Sequence, residues 1–283
     1  MINKCKICGA ESHKLFETLV LGKHNISYYQ CENCEFIETE KPFWLEEAYG
    51  SAISKLDIGL IYRNTELSGF VESLLLQNSF DADKKFIDYG GGYGMFVRMM
   101  RDKGFDFFRQ DMYCENLFAE FFDIEDLEND NQNFEILTAF EVFEHLLDPM
   151  DEIKKMLKFS NTIIFSTELI PVNKKLTSTD DWWYFVPEGG QHIAFYSLKS
   201  LAVIAKNFNL ELFSNGSSLY ILTKKKLEKN TFDKEVGNIK KSTNIFQKFL
   251  TNETETKKII EKRESFLSKD FEYVKSIVKK NIE

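Results

Sequence analysis

The stretch Asp88-Tyr-Gly90-Gly-Gly92-Tyr-Gly94 constrains this 283-residue chain more than any other. Glycines at alternate positions tolerate positive φ and allow close approach to the backbone. Phe86-Ile87-Asp88 ahead of them reads as a short buried strand, and Met95 to Lys103 reads as a helix that Gly104 ends. A strand entering a glycine loop that opens a helix leaves backbone N–H groups free at the loop, an arrangement suited to a nucleotide-like ligand. Such a unit belongs in an α/β domain.

The rest of the chain extends this pattern. Leu60, Leu67, Phe70, Val71, Leu74 and Leu75 recur near helical spacing between about Leu56 and Ser79. A second strand ends near Asp111, a third element spans Phe118 to Asp123, and Phe134 to Phe140 makes a further buried strand. Asp148-Pro149 starts a helix from Met150 to Phe159, and Thr162 to Ser166 is the next strand. A long irregular segment runs from Glu168 to His192. Leu198 to Phe208 is then a helix, and Leu210 to Ser214 with Leu219 to Thr223 form a closing hairpin across Asn215-Gly216. The order predicts a Rossmann-like, seven-stranded, mostly parallel sheet with an antiparallel last strand. It occupies residues 55–224, between a small module at 1–42 and a helical extension at 225–283. In that extension Leu267, Phe271, Val274 and Val278 form an amphipathic seam, read as packing on its own domain or as a homodimer contact.

Cys5 with Cys8 and Cys31 with Cys34 make two Cys-x-x-Cys pairs separated by 22 residues. Each pair suits one knuckle, Gly9 suits the turn after the first, and four thiolates complete a tetrahedral zinc site. Tyr28, Tyr29, Phe43, Trp44 and Tyr49 either line a substrate site from this module or pack within it.

After the Phe134–Phe140 strand comes Glu141-Val-Phe-Glu144-His145-Leu146. On a helical turn Glu141, Glu144 and His145 share one side, at the carboxyl edge of the sheet. His192, after the glycine pair 189–190, is a fourth ligand or a general base. A hydroxyl is a poor nucleophile at neutral pH, so its attack needs such a base or a cation that lowers its pKa. Asp180 to Glu188, aromatic and acidic together, suits a carbohydrate, with core packing of a Trp as the competing reading.

The D-x-G-x-G-x-G loop resembles motif I of class I S-adenosylmethionine (SAM) methyltransferases, and the Glu-x-x-Glu-His turn resembles the post-strand motif of the same superfamily. The resemblance covers about residues 60–223. It implies SAM as cofactor, held by Asp88, Gly90, Gly92 and Gly94, with Asp111 on the ribose and Met112 flanking the adenine. Glu-x-x-Glu-His is similar to the metal motif of small-RNA and ubiquinone-pathway O-methyltransferases. That likeness implies a divalent ion, Mg or Mn, on Glu141, Glu144, His145 and His192; the other reading is a motif that orders the loop or supplies a base. The cysteine module resembles the zinc-binding segment of sugar C-methyltransferases, whose large C-terminal domain has no counterpart here. The run from Trp182 to Leu198 resembles methyltransferases of surface-polysaccharide clusters.

These likenesses imply an O-methyltransferase acting on a sugar, a sugar nucleotide or a capsule precursor, with Glu144, His145 and His192 as catalytic residues. The alternatives are C- or N-methylation with His192 as base, or a non-catalytic SAM-binding assembly protein. A net charge of −9 argues against broad nucleic-acid binding. No apolar run approaches 18 residues and no leader pattern opens the chain, so neither a membrane span nor a signal peptide is expected, and the expected location is the cytoplasm.

Overall fold

The computed structural model describes residues 3–50, 56–76, 80–127, 133–227 and 263–280. In chain order the elements are β1 (Asn3–Lys4), β2 (Glu11–Val20), β3 (His24–Cys31), β4 (Ile37–Thr39), α1 (Leu45–Ala48), α2 (Leu60–Leu76), β5 (Lys85–Tyr89), α3 (Met95–Asp102), β6 (Asp106–Gln110) and β7 (Leu137–Ala139). They continue with α4 (Pro149–Phe159), β8 (Thr162–Ser166), β9 (Ala194–Phe195), α5 (Leu198–Asn207), β10 (Glu211–Ser214), β11 (Leu219–Thr223) and α6 (Leu267–Lys280). Among the described residues two compact units result, one from those within 1–57 and 139–227 and the other from those within 58–138 and 263–280.

The first unit contains a sheet of order β1-β2-β3-β4-β9. Gly22 at φ +70° turns the chain between β2 and β3, which pair antiparallel over their length. Beyond the expected ribbon, the sheet gains β9 from far along the chain, through Ile37 opposite Phe195 and Glu38 opposite Ala194. Its core is aromatic: Phe16, Tyr28, Trp44, Trp182, Tyr184, Phe185 and Phe195 are buried together. Tyr28 and Trp44 therefore pack, whereas Phe43 is exposed. α4 starts where expected, its Asp148 carboxylate accepting from Asp151 N, with Pro149 in the first turn. Ser197 caps α5 in the same way, accepting from Ser200 N.

In the second unit β5 runs parallel to β6 and to β7, with Asp88 beside Arg109 on one side and Thr138 on the other. These strands belong to a mixed sheet of order β10-β11-β8-β7-β5-β6, whose strands β8, β10 and β11 come from the first unit. β11, the last strand, is antiparallel to β8 and β10. Seven strands were expected, and six form among the described residues. The Phe118–Asp123 segment is reduced to one bridge, Arg109 to Asp123. Its chain is bent instead: Asn116 Oδ1 accepts from Ala119 N, and Phe121 takes φ +69°. A left-handed residue in mid-segment is incompatible with an extended strand.

The terminal helix also departs from expectation. Asp270, 3% exposed, takes hydrogen bonds from Arg101 Nε (2.8 Å) and Nη2 (2.9 Å) and from Arg98 Nη2 (3.0 Å). Leu267, Phe271 and Val278 of the predicted seam are exposed. A buried ion pair, not the apolar stripe, anchors α6 to its unit. Residues 228–262 of the expected extension lie outside the described residues.

Candidate active site

The glycine loop is built from β5, the head of α3 and the end of β6. Gly90, Gly92 and Gly94 take φ of +68°, +53° and +81°. Gly91, a position the spacing argument passed over, is sterically required: a Cβ there would sit 2.8 Å from Arg109 Cγ and 2.9 Å from Asp88 Oδ2. Asp88 is buried and accepts from Thr138 Oγ1 at 2.6 Å. Burial pushes its carboxyl up to about 7, opposed by the Thr138 hydroxyl and reinforced by the nearby Asp111 charge. Asp111 follows β6 directly, where the sequence puts it. Its Oδ2 accepts from Gly92 N (2.9 Å) and its Oδ1 from Tyr113 N (2.8 Å) and Cys114 N (2.9 Å), so the carboxylate ties the loop to the strand end. Met112 and Tyr113 are about 80% exposed beside it. Arg109 also shapes the loop, although no motif in the sequence marks it. Only 5% exposed, it donates to Gly92 O, Cys114 O and Asp123 Oδ1, bracing the loop from beneath. A lone arginine in a strand reads as an outward residue, and nothing local in the sequence marks it as buried.

The Glu/His cluster belongs to the other unit. Its turn is a single 3₁₀ turn, Phe143–His145, with Glu141 ahead of it at φ +54°. The shared helical face expected for Glu141, Glu144 and His145 is thus absent. Glu141 instead accepts from Ser166 Oγ at 2.7 Å, while its own N–H donates back to that hydroxyl. Glu144, His145 and His192 do converge, each offering a ligand atom within 4.8 Å of the others. Glu144 is 0% exposed, and neither carboxylate oxygen has a hydrogen-bond partner. Burial, then the Glu141 charge, pushes its carboxyl up to about 7, while His192 and the nearby Tyr184 hydroxyl pull the other way. His145 Nδ1 faces Gln191 O (3.0 Å) and Tyr49 Oη (3.1 Å), and His192 Nδ1 faces Tyr184 O at 2.7 Å. A ring nitrogen facing a carbonyl must carry the hydrogen, so both Nε2 atoms are left with lone pairs. Burial lowers both histidine pKa values; the neighbouring His145 adds to the effect at His192. Both rings are therefore neutral near pH 7. Glu168, at the start of the long irregular segment, follows β8; burial and the Glu141 charge raise its carboxyl to about 7.

In the same unit the four cysteines gather, with Cys5 and Cys34 Sγ 3.5 Å apart and Cys8 and Cys31 Sγ 3.4 Å apart. Ligand bonds near 2.3 Å in a tetrahedron require sulfur separations of about 3.8 Å, so the four thiols fit a zinc ion with a small expansion. Ile7 N donates to Cys5 Sγ and Cys34 N to Cys31 Sγ, as knuckle turns require. Trp183 is 59% exposed beside a cleft of about 260 Å³ lined by Thr179, Asp180, Val186, Pro187 and Glu188.

Residues 61–215, more than half of the chain, match a family model described as a methyltransferase domain. The chain belongs to that methyltransferase-domain family. No curated protein matches it. Among solved structures it is similar to CalO1, a methyltransferase of calicheamicin biosynthesis in its SAH-bound form, with 13% identity, 63% of this chain and 60% of that chain covered, and a TM-score of 0.38. It is also similar to an O-methyltransferase family protein from Burkholderia thailandensis (11% identity, 63% and 66% covered, TM-score 0.39). A third is an O-methyltransferase family 2 protein from Planctomyces limnophilus in complex with apigenin (11% identity, 56% and 62% covered, TM-score 0.38). The match thus spans less than two thirds of each of these three chains. The methyltransferase-domain match takes in both the glycine loop and the Glu/His cluster, and it leaves out the four cysteines.

Proposed function

We propose that this methyltransferase transfers the methyl group of SAM to a hydroxyl oxygen of a sugar, a sugar nucleotide or a related surface-polysaccharide precursor. In this reading a divalent cation is held by Glu144, His145 and His192. One observation carries it: both oxygens of the fully buried Glu144 lack a hydrogen-bond partner, and Glu144 offers a ligand atom within 4.8 Å of one on each of His145 and His192. A buried carboxylate without donors is costly unless a cation or donor completes it. Both histidines donate Nδ1–H to a backbone carbonyl, the outer-shell bond that orients metal-binding imidazoles. Two nitrogens and one oxygen fit magnesium, which prefers all-oxygen shells, less well than a divalent transition metal, and manganese serves as the probe.

In the glycine loop, the fit to SAM rests on the positive-φ glycines, the α3 N-terminus and the Asp111 carboxylate. SAM supplies a methyl group already activated on a sulfonium. The chain's own task is to assist loss of the hydroxyl proton and hold the oxygen in line. Transfer would form the C–O bond as the S–CH₃ bond breaks, leaving S-adenosylhomocysteine and a methyl ether, with the hydroxyl proton, made more acidic by the cation, passing to solvent. The exposed Trp183 face with Asp180 and Glu188 supports a sugar acceptor, as do the likenesses of the Trp182–Leu198 run. The four thiols hold structural zinc in this account.

A second reading has His192 as a general base without a metal, serving C- or N-methylation. The neutral state of the ring and its free Nε2 favour it. Manganese titration of the SAM-loaded protein separates the two. Binding that disappears in His192→Ala, with SAM affinity unchanged, is the expected result. No manganese binding by the wild-type protein leaves His192 as a base.

A further inference from the structure

The N-terminal module makes a series of bonds to the segment that carries His192. Trp44 Nε1 donates to Gly190 O at 2.8 Å, and Gln191 Nε2 donates to Ala48 O at 2.9 Å. Thr39 N donates to Ile193 O at 3.1 Å, and β4 pairs with Ala194 and Phe195 in β9. Ser197 Oγ then donates to the carbonyl of Cys34, itself one of the four clustered cysteines, at 2.6 Å with both residues buried. Upstream, Leu21 N donates to Pro187 O, and a Cβ on Gly190 would come within 3.1 Å of Leu21 and Val20 side-chain atoms. The same segment holds the other histidine, because His145 Nδ1 faces Gln191 O and Tyr49 Oη. Ile193 N closes the circuit on Glu144 O at 2.8 Å.

We propose that the four-cysteine module is the clamp of the acceptor site: residues 34–49 fix the Gly190–Ser197 segment, with Tyr49 and Trp44 as positioning residues for His145 and His192. The state of the thiols then sets the geometry of the Glu144, His145 and His192 group from outside it. A segment of eight residues with a two-residue strand has little stability of its own, so its order depends on these bonds. The module is thereby a part of the transferase, with no separate partner needed to explain it. This inference rests on reading His145 and His192 as acceptor-side residues.

Hydrogen exchange by mass spectrometry on the full chain tests it, with SAM affinity measured in parallel. In Cys8→Ser, amides of residues 189–197 should exchange about tenfold faster than in the wild type, while those of residues 86–111 and SAM affinity stay unchanged. Should Cys8→Ser unfold as a whole, Trp44→Phe and Tyr49→Phe decide: each leaves the thiols intact and removes one polar contact. Trp44→Phe should speed exchange at 189–193. Tyr49→Phe should shift the His145 imidazole proton resonance, which a purely structural Tyr49 would not move. Unchanged exchange at 189–197 in Cys8→Ser and Trp44→Phe, with an unmoved His145 resonance in Tyr49→Phe, overturns the clamp. Failure of the acceptor-side reading looks different: the exchange effects appear, yet His192→Ala retains full methyl transfer.

Discussion

At the glycine loop, single atoms rank the positions. A Cβ on Gly94 would lie 2.5 Å from Asn116 Oδ1 at a φ of +81°, one on Gly91 would meet Arg109 and Asp88, and one on Gly92 would meet nothing within 4 Å. Gly94→Ala should therefore cost the most, on the order of 2–3 kcal/mol from clash and left-handed strain together. Gly92→Ala should cost about 1 kcal/mol, from backbone strain alone. Thermal melts of the three alanine variants check the order; equal losses would contradict it. Asp88 supplies a second test. Its folded-state pKa, about 7, is raised above the ordinary 3.8, so the folded protein holds this proton more tightly than the unfolded chain does. Its contribution is complete below pH 4 and is lost as pH rises through 7. Asp88→Asn keeps an acceptor for the Thr138 hydroxyl and removes the buried charge. It should raise the melting temperature relative to wild type at pH 8 and change it little at pH 4, with pH-independent differences as the contrary result. Asp88, Asp111 and the alternate glycines were legible because their roles depend on local spacing along one strand-loop-helix unit. Gly91 and Arg109 were not, because their roles come from residues about 20 positions apart meeting side by side.

At the scale of elements, periodicity located the helices and the closing hairpin well, since α4, α5, β8, β10 and β11 fall within a residue or so of the expected bounds. Turn conformation was harder to foresee. The Glu-x-x-Glu-His spacing suggested one helical face, yet Glu141 at φ +54° and a single 3₁₀ turn separate it from Glu144. The third element expected over Phe118–Asp123 does not become a strand for a similar reason, the left-handed Phe121. The α6 helix shows how polarity can override pattern. Leu267, Phe271 and Val278 of its apolar seam are exposed, and the buried Asp270 with Arg98 and Arg101 holds it. Breaking a buried pair strands the remaining charges, so Asp270→Ala should cost about 3 kcal/mol. Limited proteolysis should then cut within residues 263–280 while the wild type stays intact there; equal resistance of both proteins would refute the ion-pair anchor.

The whole molecule joins a methyltransferase domain to a cysteine module that the family match does not include. Long-range topology explains why the sequence suggested a separate small ribbon: β9, which extends the module's sheet, lies more than 150 residues downstream of β4. No helix among the described residues is long and apolar enough to cross a membrane. The acidic balance, −9 overall, disfavours broad electrostatic binding of a polyanion such as nucleic acid. The proposed function makes separable demands on the two candidate sites, a cofactor at the glycine loop and a cation at the Glu/His cluster. Calorimetric titration of SAM into the wild-type protein, Asp111→Ala and His192→Ala tests the central claim most directly. One SAM per wild-type chain, affinity lost at least tenfold in Asp111→Ala and unchanged in His192→Ala, is the predicted result. Absence of SAM binding by the wild-type protein would contradict the account at its root.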